Sequence, residues 1–476
     1  MKGKTLVKIL IYSINIFIFA LFCYWYLAND STVLFPSVFS TINVIVICTI
    51  INKLSGSLEE AWHLGLDEGS ERYFYPETPE RGYYVKVVAV SAVFFVLLSA
   101  ILLIRIKSTY PNTGLNEAIK GYYSSMLDAE KYIYLSNNWY ASVVDDFDNY
   151  KSIYPLYLIL IKPFAGTNFN YLVQIFINII LSVLSCIFLF NVAVFDYDEE
   201  AAFKAVLFLL LLPISFFLIS PLPIALLLLL SLIYIYFVRR HEWWYSAIAG
   251  YFAGLTHPIA LALMVFGFIE YIAYAREELS DVLAVDSVNL DKSPLFYISD
   301  KDNYKFYIPY VLKGFSVLSI LVAYIFFVFM NRRVYVDEAN IFLVFNDIFD
   351  LDGPYFFSNA FFLIGDFEES IAGSGKAALS EYLPTVLFML ASLAILFKNY
   401  NKMRASYLVY SVSMYVFLFS AENILSQTKY MVLLFPMAFV FALISEKRLF
   451  FIILVAVSSI AFIAYYGLFI LGYPIS

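Results

Sequence analysis

Residues 169–194 read FNYLVQIFINIILSVLSCIFLFNVAV and carry no charged side chain. At about 1.5 Å per residue, a helix over them outruns the roughly 30 Å hydrocarbon core of a bilayer. Working outward, comparable apolar runs occupy 7–28, 37–52, 86–104, 203–219, 222–238, 243–256, 258–275, 308–331, 383–398, 405–421, 427–445 and 449–471. A lipid-facing backbone must satisfy its own hydrogen bonds, so the expected fold is all-α, a polytopic transmembrane bundle of about 13 helices. The short run 37–52 and the adjoining runs across 243–275 carry the weakest signal. The stretch between Pro155 and Pro163 is apolar but too short to span, which fits a re-entrant or interfacial helix.

Composition agrees. The 476 residues are 62% hydrophobic and 14% charged, against about a quarter charged in soluble domains. Aromatic content is 20%, with Tyr 40 and Phe 48. Part of that is an interfacial belt, and Tyr-rich loops also suit a carbohydrate or lipid ligand. A net charge of −8 gives no sign of nucleic-acid binding. Cys23, Cys48 and Cys186 sit inside apolar runs and read as small buried hydrophobes. The first span follows Lys2, Lys4 and Lys8 without a small-residue cleavage site, so a retained helix is expected.

Lys/Arg bias in short loops sets orientation. Lys2, Lys4, Lys8, Lys53, Arg72, Arg81, Lys86, Arg239, Arg240, Arg276, Lys398, Lys402, Arg404, Lys447 and Arg448 fall on one side, taken as cytoplasmic. Arg105, Lys107, Arg332 and Arg333 are the exceptions. The loops 105–168 and 332–382 then both face out. The chain divides into an N-terminal two-helix extension over 1–85, a main module over 86–331, the second outer loop 332–382 and the helices of 383–476.

Candidate chemistry concentrates in Met126–Phe164, MLDAEKYIYLSNNWYASVVDDFDNYKSIYPLYLILIKPF. Asp128, Glu130, Asp145, Asp146 and Asp148 stand together in an otherwise apolar chain. Carboxylates at the mouth of a membrane bundle are costly unless they face water or a polar partner. Asp128 is placed to act as a general base for a hydroxyl nucleophile. On spacing alone, a helix-start or solvated acid is the simpler reading. Glu130, two residues on, does not share its helix face. Asp145, Asp146 and Asp148 form a DDxD run whose oxygens suit a hard divalent cation, or a solvated turn before Tyr154-Pro155. No other cofactor is indicated.

Tyr154, Tyr157 and Lys162 bring aromatic and basic groups to the outer surface, where a lysine pairs with a lipid phosphate or simply snorkels. His257, in GLTHP, falls at a helix break that faces out. Lys429-Tyr430 opens the run 427–445. His63, His241 and His257 are dispersed and unpaired, which argues against zinc. There is no phosphate-cradling glycine loop and no GxSxG.

These tracts, in their order, resemble the PIG-V-type mannosyltransferases of the GT-C superfamily. LDAEKYIYLSNNWY at 127–140 is similar to the family's first outer loop, with Asp128 on its aspartate and Tyr140 on a later tyrosine. IYPLYLILIKPF at 153–164 resembles its FPLYP-type tract. PISFFLISP at 213–221, the Arg239-Arg240…Trp243-Trp244 turn and GLTHP at 254–258 resemble its central spans. SQTKYMVLLFP at 426–436 resembles a late tract in which Lys429 takes an arginine's place. Leu127 stands where the family has Trp, Ile224 where many relatives have Glu, and His257 where many have Arg.

The resemblance implies a dolichyl- or polyprenyl-phosphate mannose donor and a glycan, glycolipid or glycoprotein acceptor, with inverting transfer on the non-cytoplasmic face. It implies residence in an ER membrane or the plasma membrane of an archaeon or bacterium. Asp128 would be the base, and Lys162, His257 and Lys429 would hold the donor phosphate beside Tyr154, Tyr157 and Tyr430. Glu130, Tyr140 and Asp146 are secondary or acceptor-side candidates. The competing readings are another GT-C branch, a glycolipid transporter or flippase, and a non-catalytic membrane subunit.

Overall fold

A computed structural model of the chain describes residues 79–124, 129–140, 150, 153–283, 304–330, 383–399, 403–420 and 428–473. The expected spans 7–28 and 37–52 and the outer loop 332–382 lie outside the described residues. Among the described residues the fold is all-helical, without a strand. Five segments of the described residues are long and apolar enough to cross a membrane: Arg81–Thr109, Asn170–Ala193, Pro258–Ala275, Ile308–Phe327 and Arg448–Ile470. Length and composition thus make this an integral membrane protein.

Helix α1 (Arg81–Thr109) leads through the short α2 (Leu115–Ser124), α3 (Ala129–Asn138) and α4 (Pro155–Ile161) to α5 (Asn170–Ala193). Then follow α6 (Glu199–Leu210), α7 (Ile224–Arg239), α8 (Trp243–Gly254), α9 (Ala262–Leu283), α10 (Tyr304–Phe315) and α11 (Ser319–Met330). The last are α12 (Leu383–Asn399), α13 (Ala405–Ser420), α14 (Pro436–Ile444) and α15 (Arg448–Ile470). Helix α5 is the hub, packed on α1, α6 and α7, while α7 also meets α8 and α9. Helix α7 is buried along almost its whole length. By contrast Ile460 and Ile463 of α15 are each 68% exposed, so that apolar face is turned to lipid rather than to water.

Several expected spans are not continuous α-helices. The run 203–219 is α6 followed by a buried 3-10 turn, Ser215–Ile219. The run 427–445 is a 3-10 turn, Thr428–Leu433, followed by the short α14. The physical reason in both is proline. Pro213 and Pro436 lack the N–H that helix continuation needs. The run 308–331 is also interrupted, at Ser316–Leu318. There Ser316 Oγ donates to the Lys313 carbonyl, a local bond that competes with the helical ladder. The stretch from Pro155 is a short helix closed by a 3-10 turn, Lys162–Phe164, as its length required.

One end of the bundle is tied by buried ion pairs. Arg239, closing α7, grips Asp196 with two hydrogen bonds of 2.6 and 2.9 Å. Arg404, just before α13, grips Glu270 of α9 in the same two-pronged way at 2.6 and 2.9 Å. Bidentate geometry offsets the desolvation of both charges. Asp198 caps α6 by accepting from the Ala201 N–H at 2.7 Å, where a carboxylate also meets the positive end of the helix dipole. Between α7 and α8, burial holds the His241 imidazole down to about 4, so it is neutral at physiological pH.

Helices α8 and α11 approach through Gly250 and Gly254, a small-xxx-small pair. A Cβ on Gly254 would stand 2.8 Å from both the Ile320 carbonyl oxygen and Ala323 Cβ, whereas one on Gly467 meets nothing within 4 Å. Gly254→Ala should therefore lower stability by about 1–3 kcal/mol. Gly467→Ala should be neutral or slightly stabilising. Thermal melting of both variants in nanodiscs checks the difference, and equal melting points would contradict the close packing.

Candidate functional site

Three helix interruptions among the described residues share the end of the bundle opposite the ion pairs. They are the turns at 211–223, 255–261 and 428–435, and all three are almost wholly buried. The start of α7 packs on both Ser215–Ile219 and Thr428–Leu433. Non-helical backbone at membrane depth survives only inside protein or beside a cavity, and broken helices are where membrane proteins place ligand sites.

The turns partly satisfy themselves. Phe217 N donates to the Ile214 carbonyl at 3.1 Å, Ala260 N to His257 at 3.1 Å and Leu434 N to Met431 at 2.9 Å. Side chains supply the rest. Asn178, within α5, donates through Nδ2 to the Ser220 carbonyl and, at 3.1 Å, to that of Leu222. Ser182 donates to the Leu218 carbonyl at 3.1 Å. Tyr410 donates to the Leu433 carbonyl at 3.0 Å.

The tracts singled out in the sequence meet in this layer. Leu156 N donates to the Leu255 carbonyl at 3.0 Å, tying the Tyr154–Tyr157 tract to the His257 turn. The Tyr157 hydroxyl sits 3.3 Å from both Gln174 Oε1 and Asn178 Nδ2. Tyr132 stands edge-on to Tyr157 at 5.6 Å, and the Tyr140 hydroxyl donates to the Ile153 carbonyl at 2.5 Å. Tyr154 stacks on Phe327 at 4.0 Å. Across the layer, the His257 ring lies 4.2 Å from that of Tyr430, and Lys429 is close enough for its charge to act on His257. His257, Lys429 and Tyr430 are each less than a tenth exposed. His257 Nδ1 accepts from the Ile259 N–H at 3.3 Å, which holds the imidazole on its own turn.

The candidates therefore separate. His257, Lys429 and Tyr430 come together as a buried basic and aromatic set. Tyr154 and Tyr157 join the same layer: the Tyr154 ring is stacked on Phe327 and the Tyr157 hydroxyl is held by the amides of Gln174 and Asn178. Lys162 is also set apart, because it is exposed on its 3-10 turn with its ammonium 5.2 Å over the Trp139 ring. Glu130 is exposed and pairs with Lys120 at 3.4 Å. Asp128, Asp145, Asp146 and Asp148 lie outside the described residues, and α3 begins at Ala129. Among the described residues no group of three or more His, Cys, Asp or Glu is arranged to hold a metal. Cys186 is a buried free thiol.

Sequence reasoning passed over Gln174 and Asn178, although amides four apart in an uncharged span share one helix face and signal a buried polar contact. It also passed over Glu270, a lone acid within LALMVFGFIEYIAYA, which is a residue of the kind that bundles bury against a partner.

Comparison with family models, with curated proteins and with solved structures finds no match.

Asn178→Leu should strip the Ser220 and Leu222 carbonyls of a shared donor, at about 1–3 kcal/mol for each buried group left unpaired. Its melting temperature should fall well below that of Ser182→Ala, which removes one hydroxyl. Equal melting of the two would show that the turn does not lean on Asn178.

Proposed function

We propose that this chain is a membrane glycosyltransferase of the GT-C kind. It moves a sugar, mannose on the family resemblance, from a dolichyl- or polyprenyl-phosphate donor to an acceptor hydroxyl. The observation that carries the reading is the convergence of distant tracts: residues 153–157, 213–223, 254–258 and 428–430 form one buried layer, with the His257 ring against that of Tyr430 and the Lys429 charge within reach of it. The order of those tracts is what resembles the family.

The chemistry asks for two things. The acceptor oxygen attacks the anomeric carbon as the bond to the phosphate oxygen breaks, and the configuration inverts. Asp128 takes the acceptor's proton. The departing phosphate gains negative charge, which a positioned cation in a water-poor layer stabilises strongly. Lys429 is that cation, with His257 and Tyr430 shaping its surroundings. The apolar outer faces of the helices suit the polyprenyl chain. We place the layer on the non-cytoplasmic face, because Arg81, Arg239, Arg240, Arg404 and Arg448 gather at the other end.

Transfer from a polyprenyl-phosphate sugar by the purified full chain in nanodiscs is the test. Asp128→Asn should cost about 10²–10⁴ in rate with donor binding little changed. Lys429→Gln should weaken both donor binding and turnover. Near-normal turnover by a folded Asp128→Asn would overturn the mechanism.

A further inference from the structure

Beside the Lys429 set lies a second polar cluster that the proposed mechanism does not use. Asn178 Oδ1 is buried and closes no hydrogen bond, and the Tyr123 hydroxyl and Ser220 Oγ beside it, buried too, have only each other. They belong together: Tyr123 interacts with Ser220 and Tyr157, while Asn178 binds both the Ser220 carbonyl and the Tyr157 hydroxyl. A buried polar atom without a partner is costly, and an unpaired amide oxygen beside two hydroxyls whose capacity is only partly used calls for a polar guest. Every group in the cluster is neutral, as are the named neighbours of Tyr123 and Tyr157. Nothing there favours an anion. Two hydroxyls and an amide oxygen offer acceptors together with donors that rotate, which is the complement of another hydroxyl.

We infer that Tyr123, Ser220 and Asn178 form a subsite for the hydroxyl groups of an uncharged hexose. The inference rests on the glycosyl-transfer reading for the kind of sugar, and it assigns the two ends of the donor to different places. The phosphate goes to Lys429 and the sugar to the neutral cluster. Both flank the start of α7, since that helix packs on Ser215–Ile219 as well as on Thr428–Leu433.

The experiment uses the full chain in nanodiscs and measures binding of octyl mannoside, which has no phosphate, and of polyprenyl phosphate, which has no sugar. Tyr123→Phe and Ser220→Ala, both conservative, are compared with wild type after their melting temperatures have been checked. The subsite predicts octyl mannoside affinity about 5- to 10-fold weaker in each variant, with polyprenyl phosphate affinity unchanged. Wild type that binds no octyl mannoside, or variants that bind it as wild type does, overturns the subsite. Variants that melt higher with unchanged affinity show that the cluster holds only internal water, which overturns it too. Mannoside binding that depends on Tyr123 and Ser220, in a protein that ignores polyprenyl phosphate, upholds the subsite and sinks the lipid-phosphate donor instead.

Discussion

The hydrogen bonds from Asn178 to the Ser220 and Leu222 carbonyls hold the most demanding point of this structure. In an apolar bundle a carbonyl that leaves the helical ladder has no water to turn to. Proline forces that departure after α6 and before α14. Each interruption must then find partners inside the protein, and the partners are what draw the turns into one layer. Asn178 fixes the 213–223 turn against α5. Through the Tyr157 hydroxyl it also reaches α4, whose Leu156 N–H in turn fixes the His257 turn. Satisfying the backbone and assembling the candidate site are therefore the same event.

The two ends of the bundle solve different problems. At one end, Asp196–Arg239 and Glu270–Arg404 are complete, two-pronged pairs that tie the end of α7 to the turn after α5 and the start of α13 to the body of α9. Paired charges of this kind add specificity and hold register. Among the described residues, the buried polar groups of the other layer are amides, hydroxyls, the His257 imidazole and the Lys429 ammonium. Rigid anchoring at one end leaves the other free to specialise.

Much of the fold was legible. Uncharged runs such as 169–194 became helices within a few residues of their expected ends, because hydropathy over that length has few other outcomes. Hydropathy did not reveal where the apolar runs break. Runs 203–219 and 427–445 are apolar enough to pass for spans, and only Pro213 and Pro436 mark them as turns. His257 and Lys429-Tyr430 were identifiable as polar residues at helix ends, and the structure brings them together. Tyr154 and Tyr157 were identifiable as aromatic residues beside Pro155, but the stacking of Tyr154 on Phe327 and the contacts of Tyr157 to the Gln174 and Asn178 amides depend on other helices. The amide pair Gln174 and Asn178 was visible in principle, but its importance comes from carbonyls more than forty residues away (Asn178 to Ser220, |i−j| = 42).

The central claim is that tracts far apart in sequence meet in one buried layer, and the meeting of His257 with Tyr430 is its most direct consequence. With Cys23, Cys48 and Cys186 replaced by alanine, cysteines placed at 257 and 430 can be challenged in intact membranes with a short thiol cross-linker. The account predicts rapid cross-linking of that pair and none between cysteines at 257 and 447, which lie at opposite ends of the bundle. A folded protein in which 257 and 430 cross-link no faster than 257 and 447 would contradict it.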